Sequence, residues 1–140
     1  MHITTTRLGL PTDGPHTPDT VLDAARALSD LVDYLGRATT DPDTADALDG
    51  LLINLSDTTR GLDQVLRQIS TAARRVGLEP RLRDDRGEDV DPADTAETVA
   101  DAAAEARIRL AAVTTALRDA ASAATHLGWD VDSAEDDEDD

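Results

Sequence analysis

Two long stretches of this chain place an apolar or small residue at intervals that alternate between four and three. In one, the positions are 48, 52, 55, 59, 62, 66, 69, 73 and 76, and only Thr59 is polar among them. In the other, the positions are 99, 103, 106, 110, 113, 117, 120, 124 and 127, all Val, Ala or Leu. A third, shorter segment has the same rhythm at Val21, Ala25, Leu28, Val32 and Leu35. This spacing keeps one stripe of a helix facing a neighbour, and the stripes of two such helices interlock in a left-handed, nearly antiparallel bundle. A strand would need a period of two.

The boundaries of the segments carry their own chemistry. Thr17-Pro18, Asp41-Pro42 and Asp91-Pro92 each pair a side chain that accepts from free helical N–H groups with a proline whose missing N–H costs nothing at the first helical position. Leu35-Gly36, Val76-Gly77 and Leu127-Gly128 read as the matching stops, with glycine as the residue that most readily takes the left-handed conformation closing a helix. Leu78 and Trp129 are placed to supply the apolar contact that often follows. At about 1.5 Å per residue, residues 18–35 span roughly 27 Å, while 42–76 and 92–127 each span roughly 53 Å.

The expected fold is therefore all-α: an antiparallel three-helix bundle with one short and two long helices. Helix one covers only the half of the hairpin nearer the start of helix two. The half holding Leu62, Val65, Leu66, Ile69, Val99 and Ile108 keeps an open side. Gly50 and Gly61 each cost a helix interior about 1 kcal/mol, and a break at Gly61 would give a compact four-helix bundle instead. Residues 1–16 read as a flexible N-terminal arm, 17–129 as the helical domain, 77–91 as a polar loop within it, and 130–140 as a disordered acidic tail.

The 140 residues include 30 Asp and Glu against 13 basic residues, a net charge of -17. All the basic residues are Arg, and Tyr34 and Trp129 are the only aromatic ones. The absence of Cys excludes thiol nucleophiles, disulfides and thiolate metal sites. The absence of Lys excludes Schiff-base chemistry and a phosphate-loop lysine. No apolar run approaches the roughly 18 residues that span a bilayer, and the first 16 residues lack the order of a signal peptide. A cytoplasmic location is expected. So strong an acidity disfavours anionic membranes, and it disfavours direct binding of duplex DNA at physiological salt.

Against this background, residues 60–86 carry Arg60, Arg67, Arg74, Arg75, Arg81, Arg83 and Arg86 against Asp63, Glu79, Asp84 and Asp85, a local excess of three positive charges. Arg60, Arg67 and Arg74 recur every seven residues and so form one stripe. Beside an apolar face, that stripe suits an acidic partner or a phosphate backbone, the latter weakened because no aromatic residue interleaves the arginines. Pairing of Asp63 with Arg67 and complementation of the helix dipole by Arg74 and Arg75 explain the same residues structurally. Ile108 lies opposite the apolar seam of an Ala-rich helix, where a polar residue would be ordinary. The candidate partner-binding residues are thus Leu62, Val65, Leu66, Ile69, Val99, Ile108, Arg60, Arg67, Arg74 and Arg75.

Catalytic patterns are missing. Asp41, Asp43, Asp46 and Asp49 precede Gly50, but a calcium loop needs Gly at its sixth position and Glu at its twelfth, where Asp46 and Leu52 stand. His2, His16 and His126 form no metal-ligand pair, and no Gly-x-Ser-x-Gly elbow or phosphate-cradling loop occurs. No enzyme activity, cofactor, metal or small-molecule substrate is expected.

The stretch from Tyr34-Leu35-Gly36 through Asp41-Pro42-Asp43-Thr44-Ala45-Asp46-Ala47-Leu48 to Leu62-Asp63-Gln64-Val65-Leu66-Arg67-Gln68-Ile69, with the Ala-rich Asp91-Pro92 helix after it, resembles small acidic helical proteins of actinobacteria. These are often encoded on plasmids or integrative elements. The resemblance covers residues 20–128 and implies an accessory role on a mobile element, with no functional residue carried over. The expected function is that of a non-enzymatic adaptor, self-associating as a homodimer or docking a protein partner. The alternative is an inhibitor whose acidic tail, Asp136-Asp137-Glu138-Asp139-Asp140, mimics nucleic acid and blocks a DNA-binding protein.

Overall fold

The computed structural model describes residues 14–41, 46–87 and 89–127. Among them lie three helices and no strand: α1 (Pro18–Ala38), α2 (Leu48–Val76) and α3 (Pro92–Ala124). Most of the N-terminal arm, the Asp41-Pro42 start beyond Asp41, Gly128, Trp129 and the acidic tail fall outside the described residues. By its internal contacts the chain divides into two compact units, Met1–Asp46 and Ala47–Asp140.

In the first unit, α1 begins as its sequence demands. The Thr20 N–H donates to Thr17 Oγ1 at 3.2 Å, and the Thr17 N–H donates to Thr20 Oγ1 at 2.9 Å, ahead of Pro18. Its end differs from the expected stop at Gly36. The helix runs through Gly36 to Ala38, because Thr39 and Thr40 satisfy the terminal carbonyls. Their hydroxyls donate to Leu35 O at 2.9 Å and Arg37 O at 2.7 Å. No residue of α1 is buried.

The second unit is a helical hairpin. Asp46 and Ala47 form a short 3₁₀ turn, and α2 then starts at Leu48 without a side-chain cap. It continues unbroken through Gly50 and Gly61, so the fold-back that a break at Gly61 would permit does not occur. At its far end, Gly77 keeps right-handed dihedrals (φ -58°, ψ -18°) in place of the left-handed cap. The reason for glycine there is proximity: an added Cβ would lie 3.1 Å from Ala96 Cβ. Leu78 is 83% exposed and makes no capping contact of the expected kind. On the other side of the loop, the Asp91 carboxylate accepts from the Ala93 N–H at 2.8 Å, with Pro92 at the first position. α3 ends at Ala124, three residues before the expected stop, with the Thr125 hydroxyl donating to Ser122 O at 2.8 Å.

Cross-links between α2 and α3 set the register. Thr114 Oγ1 donates to Thr59 Oγ1 at 2.8 Å, and Arg107 places Nε 3.0 Å and Nη2 3.3 Å from the two Asp63 oxygens. Arg74 reaches Glu97 and Asp101, each at 3.1 Å. Partner numbers fall along α3 as they rise along α2. The contact rows occupy positions 56, 59, 63, 66, 70, 73 and 77 of α2 and 96, 100, 103, 107, 110, 114, 117, 121 and 124 of α3, all buried or half-buried. The spacing is again four and three, but only one row on each helix coincides with the expected seam. The rows 55, 62, 69, 76 and 99, 106, 113, 120 lie one position to the side.

The consequence is a hairpin held by small residues. Its buried side chains are Ala96, Ala100, Ala103, Ala121 and Ala124 with Ser56 and Ser70, and no large side chain is fully buried. The Ser56 hydroxyl is also enclosed with no hydrogen-bond partner among the described residues. Gly61 faces open space, since an added Cβ would meet nothing within 4 Å. Glycine costs an exposed helix interior about 1 kcal/mol relative to alanine, so Gly61→Ala is expected to raise the unfolding free energy by about 0.5–1 kcal/mol, read as a later urea midpoint. Gly77→Ala should not share that gain, because its new methyl presses on Ala96.

Candidate functional site

The seam's lateral displacement decides where the large aliphatic side chains go. Leu62 and Leu66 are half-buried, whereas Val65, Ile69 and Val99 are exposed. Positions 62, 65 and 69 fall on one flank of α2, Leu66 belongs to the contact row beside them, and Val99 lies on the same flank of the hairpin. Ile69, Val76 and Val99 line one cleft there, together with Ala72, Ala73 and Ala96. Leu82, Arg83, Asp84, Pro92 and Thr95 of the loop and the start of α3 complete it, around a cavity of 390 Å³. Of these lining residues, Ile69 and Val99 are among the candidates chosen from the sequence, and Ala73 and Val76 lie on the same periodic stripe as Ile69 without having been chosen. Ala72, Ala96 and the loop residues stand outside both stripes.

The remaining candidates stand elsewhere. Glu97 and Asp101 bind Arg74 from the opposite flank of α3, and Ile108, seven residues after Asp101, shares that row and is 69% exposed. Arg60, Arg67 and Arg74 follow one another at heptad spacing on this second flank of α2. The basic stripe and Ile108 are therefore separated from the aliphatic cluster by the width of the hairpin. Arg60 also lies 3.4 Å from Asp57, and it lines a second, more polar cleft with Ile53, Ser56, Arg118 and Ala121. Asp63 binds Arg107 across the seam, and not Arg67 as i,i+4 spacing suggests. Arg67 and Arg75 form no ion pair among the described residues. The acidic start of α3, which lies beyond residue 86, thus neutralises the middle of the island.

The loop over the apolar cleft is tied down by charge. Asp84 accepts from Arg86 Nε at 2.9 Å and Nη2 at 2.7 Å, from the Arg86 N–H at 3.0 Å, and from the Thr95 hydroxyl at 2.5 Å. Arg86 also contacts Thr95 Oγ1. The hydrogen bonds from Arg86, then those from Thr95, hold the Asp84 carboxyl far below the usual carboxylate range, and its partner Arg86 is shifted upward by Asp84. Because the folded pKa is depressed, this tie contributes fully above the unfolded value near pH 4 and fades as pH falls below it. Asp84→Asn is expected to speed amide exchange in residues 82–95 several-fold at pH 7. The gap from wild type should narrow as pH drops below about 4.

Among the described residues, no group of three His, Cys, Asp or Glu is placed to hold a metal ion. No helix among them is long and apolar enough to cross a membrane. Comparison with family models, with curated proteins and with solved structures finds no match to the chain.

Proposed function

We propose that this is a non-enzymatic interaction protein that self-associates through the apolar flank of its α2–α3 hairpin. The observation that supports this most is the division of side chains: the hairpin buries only Ala and Ser, while Val65, Ile69, Val76, Val99 and Val113 remain largely open along with other aliphatic groups. Burying a side chain of this size is worth roughly 1.5–3 kcal/mol, a large share of a typical stability of about 5–15 kcal/mol. A hairpin whose aliphatic residues face outward gains most from a further layer of protein. In this reading the three helices form an antiparallel bundle, one short and two long, and the protein acts in the cytoplasm without cofactor. Its resemblance to plasmid- and element-borne actinobacterial proteins supports an accessory role on a mobile element. Sedimentation is expected to show a dimer at about 100 µM, a hundredfold above a micromolar dissociation constant. A monomer at that concentration refutes the proposal.

A further inference from the structure

The second, more polar cleft holds groups whose bonding is incomplete. It encloses 320 Å³ between the first half of α2 and the last turns of α3, where Ile53 and Ala121 give it an apolar wall. Two guanidinium groups, Arg60 and Arg118, face one carboxylate there, Asp57. Arg60 meets Asp57 at 3.4 Å, and Arg118 is exposed and forms no ion pair among the described residues. Ser56 lines the same cleft, is 3% exposed, and keeps a hydroxyl enclosed without a hydrogen-bond partner among those residues. An occupant that suits these groups carries negative charge, an apolar body and a hydrogen-bond donor.

The chain itself supplies one. Thr125 stands at the cleft, and the segment that continues from this end of α3 reads Gly128, Trp129, Asp130, Val131, Asp132, with six more acidic residues before its last position, 140. This segment lies outside the described residues. We infer that it folds back over the cleft, setting Trp129 against Ile53 and Ala121 with its indole N–H toward Ser56, and its carboxylates against Arg118 and Arg60.

Reach, size and charge support this occupant. Arg118 lies about 10 Å down the helix from Thr125 at 1.5 Å per residue. Residues 129–132 cover up to about 13 Å when extended, so a reversal at Gly128 passes Trp129 over the cleft and brings Asp132 within reach of Arg118. An indole has an apolar body to bury and an N–H that usually finds a partner when buried, and a turn of Ser56 about its single χ angle offers the free hydroxyl to it. Tethering supplies the segment at an effective concentration on the order of millimolar, so contacts too weak to hold a free ligand suffice. Arg67 also lacks an ion pair, but it stands beyond the Asp63–Arg107 rung, and the longer loop needed to reach it costs more entropy. The docking is within one chain and does not depend on self-association.

Trp129 is the chain's only tryptophan, so its fluorescence reports the contact in the intact protein. In the wild type its emission is expected to be blue-shifted, and its quenching by acrylamide several-fold slower than that of N-acetyltryptophanamide. Arg118→Glu and Ile53→Asp should each restore most of the quenching rate while helicity stays at the wild-type level, since both positions are exposed. Arg67→Glu, the same charge reversal further along the hairpin, should leave Trp129 protected. A wild-type Trp129 quenched as fast as the model compound overturns the proposal. Release by Arg67→Glu, with or without release by Arg118→Glu, overturns it by assigning the effect to the arginine stripe or to overall charge. Protection that disappears on dilution overturns it as well, because the segment then docks on another copy.

Discussion

Replacing Ala100 by Leu is expected to destabilise the hairpin by about 1–3 kcal/mol, and the same change at Ala111 by less than about 0.5 kcal/mol. Ala100 is 0% exposed and sits in the contact row between Ala96 and Ala103, whereas Ala111 is exposed on the same helix. Three added heavy atoms at Ala100 have nowhere to go, because the facing row of α2 is held close by Asp63–Arg107 and Thr59–Thr114. Overpacking of this kind forces side chains off their rotamers or the helices apart. Urea unfolding of the two variants measures the difference directly. Equal and small effects would mean that the helices do not approach at this row.

The second large effect concerns association. Val65→Asp should convert dimers to monomers, weakening self-association by more than a hundredfold, while Gln64→Asp, with the same charge change one residue away, leaves it near wild type. Val65 is 47% exposed on the aliphatic flank, and a carboxylate there would have to be desolvated without a partner at two symmetry-related positions. Loss of one valine burial per copy adds roughly 1.5–3 kcal/mol, and every 1.4 kcal/mol is about tenfold in affinity. Sedimentation equilibrium of both variants provides the test. Equal weakening by both would assign the effect to overall charge, and an unchanged dimer in both would remove this flank from the interface.

Helix number and class were legible because they depend on local chemistry. Thr17, Asp91 and the prolines after them act on N–H groups within the same turn, and the aliphatic spacing acts within one helix. The exact ends were less so. Gly36 and Gly128 look like stops, yet hydroxyls of Thr39, Thr40 and Thr125 carry the ends of α1 and α3. These short bonds compete with glycine on nearly equal terms, and periodicity does not rank them.

The seam itself was decided by tertiary structure. Hydrophobic spacing weights Leu55, Leu62, Ile69 and Val99 most heavily, but the closest approach runs through Ser56, Asp63, Ser70, Ala100 and Arg107. Those residues are small, or they satisfy one another across the gap, and two helices can come close only where side chains are short or paired. Whether Asp63 meets Arg67 in its own helix or Arg107 in the next depends on a register between residues 44 positions apart, which no local pattern encodes. That register turns a row of leucines and valines from core into an open flank, and it moves the arginine stripe to the other side. The sequence alone determined that the chain makes amphipathic helices rich in alanine; the pairing of α2 with α3 decided which stripe is core, because burial is a property of two surfaces meeting.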